Sequence, residues 1–488
     1  MDDATLPFGN HAPIAAAYHY GEAPTLTPTE LITAAGAGIL GTFGGVLLVM
    51  RGERMKRRVR RAEERRAAGI ADVDDSMISR YRAAAGTQRL SGIILIAVAL
   101  GIFLGTAYGQ HLKNTSPIVF SKRAMLSSLW EDYKKNYIEP TSGRTLDRQR
   151  ENITTSEGQS YTMLRAVWQD DKATFDKSLA WTNKHLRRED NLFSWLYGRH
   201  PNGSFGVLSE RGGANSAADA DTDIALALVF AYSRWGEAQY LEQARAVIDS
   251  IWEKEVVTIA GTPYLASNSV EKTSTSPYVL VNPSYFAPYA YRIFAAIDRD
   301  HPWELLVDSS YELIEKSASL PLGKEQSVGL PPNWLYLDKR TGAIVAAPDT
   351  DYGFDAMRVP WRLALDHAWF NEPRAKEVLE GFSFIKEEWK VNKKLPMVYA
   401  HDGTTVLANE SPAFYGGIIG YFKVAEPRDG KKLYREKLEI LYSPDSRGWK
   451  KFMSYYDDNW AWFGIALHND ALPNLASDLS AATLSRTQ

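Results

Sequence analysis

The chain contains no cysteine. Disulfides and thiolate chemistry are therefore excluded, and redox usage says nothing about compartment. Histidine is scarce and scattered, with 9 in 488 residues. No His-Glu-x-x-His, phosphate loop or metal-spaced Cys/His cluster appears. The sequence therefore implies neither a cofactor nor a metal. Charge is nearly balanced, with a formal net of -3, so bulk charge points to no nucleic-acid partner. Aromatic residues are abundant, with 25 Tyr and 14 Trp. Their commonest use is core packing, and they also stack on sugar rings. The length allows two or three domains.

The organising stretch is Ala217 to Trp235, AADADTDIALALVFAYSRW. Asp219, Asp221 and Asp223 lead into a run that is apolar almost all the way round, and such a helix is buried. The acids at its start and its length below about 20 residues argue against a membrane span. Asp219 and Asp223 share a face, while Asp221 points elsewhere. Capping accounts for one acid at a helix start. Three at the mouth of a buried helix mark a candidate site.

Residues 1–29 are Pro- and Ala-rich and are read as disordered. Leu31–Met50 and Leu90–Tyr108 are uncharged runs of about 20 residues, long enough to span a bilayer. The Gly-x-Gly-x-x-Gly spacing at Gly36, Gly38 and Gly41 has no strand before it and is no dinucleotide site. Gly41 and Gly45 give a helix-packing spacing. The Arg-rich segment between the runs reads as a cytoplasmic loop by the positive-inside rule. The expectation is a two-pass membrane anchor over 30–110, with the N-terminus and everything after Gln110 extracytoplasmic.

From about Ser116 the chain reads as paired helices with short connections, one apolar all round and the next amphipathic. That alternation predicts an all-α domain over 116–470 made of two concentric rings, with short β segments near Thr262–Ala266 and Trp334–Val345. Residues 471–488 are read as a disordered tail.

Two further acidic stretches stand out. In TTSEGQSYTMLRAVW, Glu157 opens a helix beside Gly158, where backbone can approach a ligand. Thr154 and Glu157 also have capping-box spacing, which would make Glu157 a cap. In DYGFDAMRVPWRLALDHAW, Asp355 precedes Arg358 by one turn, and Pro360 hints at an irregular helix start. The bland alternative there is a surface Asp–Arg pair worth about 0.3 kcal/mol. NPSYFAPYAY, GLPPNW, ESPAFYGG and YYDDNWAWFG add aromatics beside amides and carboxylates, a sugar-type surface.

These stretches, in this order, resemble glycoside hydrolase family 8, the inverting (α/α)6-barrel endoglucanases. Asp219, Ala220, Asp221, Ile224, Ala225 and Trp235 fit the family signature, with Ala218 standing where Ser or Thr is usual. SEGQSY resembles the proton-donor motif and FDAMRVPWR the general-base motif, with Phe354 where Tyr is expected. The resemblance covers about residues 120 to 470. It implies an (α/α)6 barrel with Glu157 as general acid, Asp355 as general base and Asp219 binding and distorting the sugar at the cleavage point. It implies Asp221, Tyr161, Tyr285, Arg358, Trp195 and Tyr415 as substrate contacts, with Tyr285 orienting the water. The implied activity is endo-hydrolysis of a β-1,4-linked glucan. Chitosan, xylan and mixed-linkage glucan are substrates of the same family. Implied partners are the β-linked polysaccharide, the bilayer and a polysaccharide synthase or secretion complex, because cellulose-synthesis clusters use family members of this kind. The competing reading is a non-catalytic polysaccharide-binding subunit, which the departures at Ala218 and Phe354 favour and the intact Glu157 and Asp355 oppose.

Overall fold

The computed structural model describes residues 28–68 and 75–479, and within them the side chains other than those of 28–43, 77 and 100–121. The chain falls into two compact units, Met1–Ser121 and Lys122–Gln488.

The first unit is built on two long helices, α1 (Pro28–Ala67) and α2 (Asp75–Tyr137), the second of which continues beyond the unit's end. The Arg-rich segment expected between the two runs lies mostly within these helices. It is helical in both arms, where Arg89 pairs with Glu53 at 2.9 Å and Arg82 pairs with Glu63. The helices touch through glycine. A Cβ on Gly45 would lie 2.8 Å from the Gly92 carbonyl, and one on Gly92 would lie 2.7 Å from the Gly45 carbonyl. Among the described residues no helix is long and apolar enough to cross a membrane. Much of both apolar runs lies outside the described side chains, as does Gly41 of the expected packing spacing. Apart from Pro28 and Thr29, which open α1, the stretch expected to be disordered at the N-terminus is likewise outside the described residues.

The second unit is the expected double ring. Its inner helices are α3 (Ser156–Trp168), α5 (Ala218–Trp235), Pro288–Ile297, Val359–Phe370, Pro412–Ala425 and Tyr455–His468. Each packs on the next. Arg165 of α3 closes the ring by donating to Asp458 and Asn459 of the last helix, both at 3.0 Å. Outer helices return the chain between them: the end of α2, α4 (Lys172–His185), α6 (Ala238–Glu255), Trp303–Ser319, the pair Pro373–Gly381 and Ser383–Asn392, and Pro427–Leu433. The inner helices are buried nearly all round, and the outer ones bury one face. Each inner helix therefore runs in the same sense, and their N-terminal ends collect at one end of the barrel.

Local sequence sets the boundaries. Thr155 caps α3 by accepting from the Gly158 N–H at 3.0 Å. Gly236, at φ 75°, ends α5 in the left-handed conformation. Pro360 sits behind a single 3-10 turn, Ala356–Arg358, so the irregular helix start expected there becomes regular only at Val359. A 3-10 turn, Pro283–Tyr285, likewise precedes the inner helix Pro288–Ile297. The expected β segments appear as Thr262–Leu265 paired with Val256–Ile259, and as the hairpin Leu335–Asp338 with Ile344–Ala346.

Two expectations fail. Residues 471–479 are no disordered tail, because the Leu472 carbonyl accepts from the Trp369 indole at 2.9 Å and the Pro473 carbonyl from Trp168 at 3.2 Å. ESPAFYGG is no sugar surface either. Its glycines let the helix Pro412–Ala425 lie backbone to backbone on its neighbours. A Cβ on Gly416 would stand 1.9 Å from the Trp460 carbonyl, and one on Gly417 2.2 Å from that of Met357. Gly416→Ala is therefore expected to destabilise the barrel by at least the about 1–3 kcal/mol of an overpacked core. A urea titration checks this.

Candidate active site

At the end where the inner helices begin, one guanidinium gathers three carboxylates. Arg358 lies in the 3-10 turn before Val359 and is 1% exposed. Its Nη1 donates to Glu157 Oε2 at 3.0 Å and to Asp219 Oδ2 at 2.9 Å. Its Nη2 donates to Asp355, one turn earlier. The planar fork of arginine allows this, where a lysine ammonium would not hold the same geometry. Tyr285 lies with its ring 5.3 Å from the guanidinium carbon and edge-on to Trp334 at 5.7 Å. One turn deeper the pattern repeats, with Arg362 donating to both oxygens of Asp223 at 3.0 Å. The predicted shared face of Asp219 and Asp223 is the face that meets these arginines.

The side chains of Glu157 and Asp355 are 25% and 30% exposed, whereas that of Asp219 is 4% exposed. The first two thus reach the open side and Asp219 lies beneath them. Partial desolvation, with repulsion from Asp219 and Asp355 outweighed only in part by Arg358, raises the Glu157 carboxyl to about 7. Asp355 is also raised, by desolvation and by Asp219, against the pull of Arg358. The helix starts add positive potential at the same place. The cluster can hold one carboxyl protonated and another ionised near neutral pH, which is the requirement for paired acid and base chemistry.

The bland readings do not survive the geometry. Thr155, not Thr154, caps α3, and Thr154 is committed to Arg144 and the Thr145 carbonyl. Glu157 serves no cap. It accepts from Arg358 and, at 3.4 Å, from the Tyr455 hydroxyl. Nor is Asp355–Arg358 a surface pair. Gly158 leaves room for no ligand: a Cβ there would stand 2.9 Å from the Tyr455 oxygen, so the glycine admits the tyrosine that reaches Glu157.

Of the predicted residues, Glu157, Asp219, Asp355, Arg358 and Tyr285 come together. Tyr161 belongs to the cluster but not to its surface. It is 2% exposed and packs under Glu157, its oxygen 3.5 Å from Arg358 Nη1. Trp195 is half-buried, and its carbonyl accepts from the Ser156 N–H at 3.0 Å, beside Glu157. Two expectations are corrected. Asp221 is fully buried, accepts from the Phe193 N–H at 2.9 Å and faces Glu255, so it offers nothing to a substrate. Tyr415 is buried, with its hydroxyl donating to Glu410 and accepting from the Leu395 N–H. Where Phe354 lacks a hydroxyl of its own, Tyr456 donates its hydroxyl to the Phe354 carbonyl.

Sequence reasoning missed Asn333, although GLPPNW was noted. Its Oδ1 accepts from Gly353 N–H at 3.1 Å and Ala356 N–H at 2.9 Å, on either side of Asp355. Its Nδ2 donates to Asp349. One buried amide thus fixes the turn that carries Asp355. Asn333→Ala leaves two buried N–H groups unpaired and lets that turn move. It is expected to lower turnover about 10- to 100-fold, as misplacement of a reacting group does. Steady-state kinetics with KM near the parent value would show it. Tyr455 and Tyr456 were also missed as individuals, and nothing in spacing alone distinguishes them from core residues. Among the described residues no group of His, Asp and Glu is arranged to hold a metal ion.

Residues 105–445 match the family model described as glycosyl hydrolases family 8. The chain is 27% identical over 421 residues to Endoglucanase A of Acetivibrio thermocellus, covering 80% of this chain and 82% of that one. It is 32% identical over 235 residues to the Endoglucanase of Escherichia coli strain K12, covering 47% and 60%. The endo-1,4-D-glucanase structure from Vibrio fischeri ES114 superposes with a TM-score of 0.59 at 26% identity, covering 70% of this chain and 94% of that one. The β-1,3-1,4-glucanase of Paenibacillus sp. X4, at 21% identity and a TM-score of 0.60, covers 72% and 92% and shows the shared fold.

Proposed function

The chain belongs to glycosyl hydrolases family 8, and from that premise we propose that it is an endo-acting hydrolase of a β-1,4-linked glucan. Glu157 is the general acid and Asp355 the general base, and the linkage is cleaved with inversion. The observation that carries this is Arg358 bound to Glu157, Asp219 and Asp355 at the open end of the barrel. Two half-buried carboxyls stand on different nitrogens of one guanidinium, with a fully buried third below. Inversion needs the acid on the leaving oxygen and the base on a water at the opposite face, about 6.5–9.5 Å away.

In this reading the glycosidic oxygen takes the Glu157 proton as the bond to the anomeric carbon breaks. Asp355 accepts a proton from the attacking water, which Tyr285 helps orient. Asp219 holds and distorts the sugar at the cleavage point, and Arg358 keeps the acids apart and correctly charged. Desolvation around Glu157 keeps it protonated toward neutral pH, and the fixed cation favours the ionised form of Asp355.

The substrate reading, β-1,4-glucan, rests on the names of Endoglucanase A of A. thermocellus and the V. fischeri endo-1,4-D-glucanase. Incubating the protein with cellulose derivatives, mixed-linkage glucan, chitosan and xylan, and measuring reducing ends, tests it. Release from glucans is expected. No release from any polymer would favour a polysaccharide-binding subunit instead.

Attachment to a membrane through the first unit, with the barrel extracytoplasmic and serving polysaccharide synthesis or secretion, is part of the same proposal. Its support is the apolar content of Leu31–Met50 and Leu90–Tyr108 and the Arg-rich segment between them. The exposed Val46, Leu47, Ile93, Ile94 and Val98 on the described parts of α1 and α2 add to it. Proteolysis of intact cells or spheroplasts should remove the barrel and spare the segment around Arg57. A protected barrel would reverse this topology.

A further inference from the structure

Beneath the acid cluster lies a second pair of carboxyls that the proposed chemistry does not use. Asp221, in the first turn of α5, and Glu255, the last residue of α6, are both fully buried. One oxygen of each is satisfied. Asp221 Oδ1 accepts from the Phe193 N–H at 2.9 Å, and Glu255 Oε1 accepts from the Ser216 hydroxyl at 2.6 Å. The other two, Asp221 Oδ2 and Glu255 Oε2, are buried without a donor, and the two carboxyls adjoin each other. Two ionised carboxylates cannot be buried in that arrangement. One proton held between them satisfies both oxygens.

The pair ties together the segments that carry the reacting groups. Asp219 sits two residues before Asp221 on the same turn and meets Arg358. Phe193 leads to Trp195, whose carbonyl accepts from the Ser156 N–H at 3.0 Å, next to Glu157. Ser216 accepts in turn from the Ser269 N–H at 2.9 Å. We propose that Asp221 and Glu255 share one proton and act as a positioning pair, fixing the start of α5 and the Phe193–Trp195 segment so that Asp219 and Glu157 meet Arg358 correctly. Neither touches substrate. The proposal rests on the reading of Glu157 and Asp219 as active-site acids.

Either carboxyl can carry the shared proton with the same set of bonds; with it on Asp221, that carboxyl donates to Glu255 while its carbonyl oxygen accepts from Phe193. An asparagine reproduces both bonds. An alanine leaves Glu255 buried without its partner and the Phe193 N–H unpaired.

The test uses the full chain on a soluble cellulose derivative. Asp221→Asn is expected to keep kcat within about threefold of the parent. Asp221→Ala is expected to lose about 100-fold or more in kcat with KM little changed, the signature of misplaced reacting groups. Should the alanine variant fail to accumulate, Ser216→Ala gives the graded form, an about tenfold fall in kcat with KM unchanged. Asp221→Asn as damaging as Asp221→Ala would overturn the proposal, because the charge of Asp221 would then be what matters. Alanine variants at Asp221 or Ser216 with parental kcat would also overturn it. A parent chain that cleaves no glucan would instead refute the underlying assignment of activity.

Discussion

Glu157→Gln is expected to slow cleavage of natural β-glucan about 100- to 10,000-fold, the usual worth of a positioned general acid. The leaving sugar oxygen is a poor leaving group unless protonated, and glutamine has no proton of suitable acidity to give. With a glycosyl fluoride, whose departure needs less protonation, the loss should be much smaller. The parent's activity should fall about tenfold per pH unit above about 7, where Glu157 loses its proton. The stability effect runs in the same direction. Glu157 is raised above its unfolded value, so its contribution is fully present below the unfolded pKa and is lost as pH rises to about 7. The glutamine variant should therefore fold as well as the parent at neutral pH. Near-normal cleavage of polymer by Glu157→Gln with a lowered melting temperature would mean that Glu157 is merely structural.

Asp355→Asn is expected to be as severe on polymer and, unlike Glu157→Gln, to remain severe on the glycosyl fluoride. Water must be activated whichever group leaves, and an amide cannot take its proton. The contrast between the two variants across the two substrates separates acid from base without reference to absolute rates. Asp355 is held by Arg358 and by the Asn333-fixed turn, so the asparagine should sit in the same place. Circular dichroism and melting should then be close to those of the parent. Equal losses for both variants on both substrates would point to a shared structural defect instead.

Much of this was legible in the sequence because the signals are local. An all-apolar helix opened by Asp219, Asp221 and Asp223 must be buried with its acids at one end, and the 3.6-residue period separates Asp221 from the other two. The alternation of buried and half-buried helices implied the double ring. What stayed hidden depends on tertiary contact. A capping-box spacing at Thr154 and Glu157 looks the same whether or not Thr155 takes over the cap. Gly158 read as ligand-facing, and Gly416 and Gly417 lay in a stretch read as sugar surface, yet each makes room for another part of the chain. Tyr415 sat in an aromatic and acidic context that suits sugars equally well, but its hydroxyl is spent inside the protein. Charge alone marks the Arg-rich segment as the connection between two runs but does not reveal that most of it is helical, with ion pairs between α1 and α2.

The central claim is that Glu157 and Asp355 act from opposite faces of the sugar, with water attacking directly. The anomeric configuration of the first product reports this. Proton NMR of a β-linked cello-oligosaccharide during the first minutes of cleavage should show the new reducing ends appearing as the α-anomer, with the β-anomer growing in only by mutarotation. New ends appearing first as the β-anomer would require a covalent intermediate on one carboxylate, and would contradict the account.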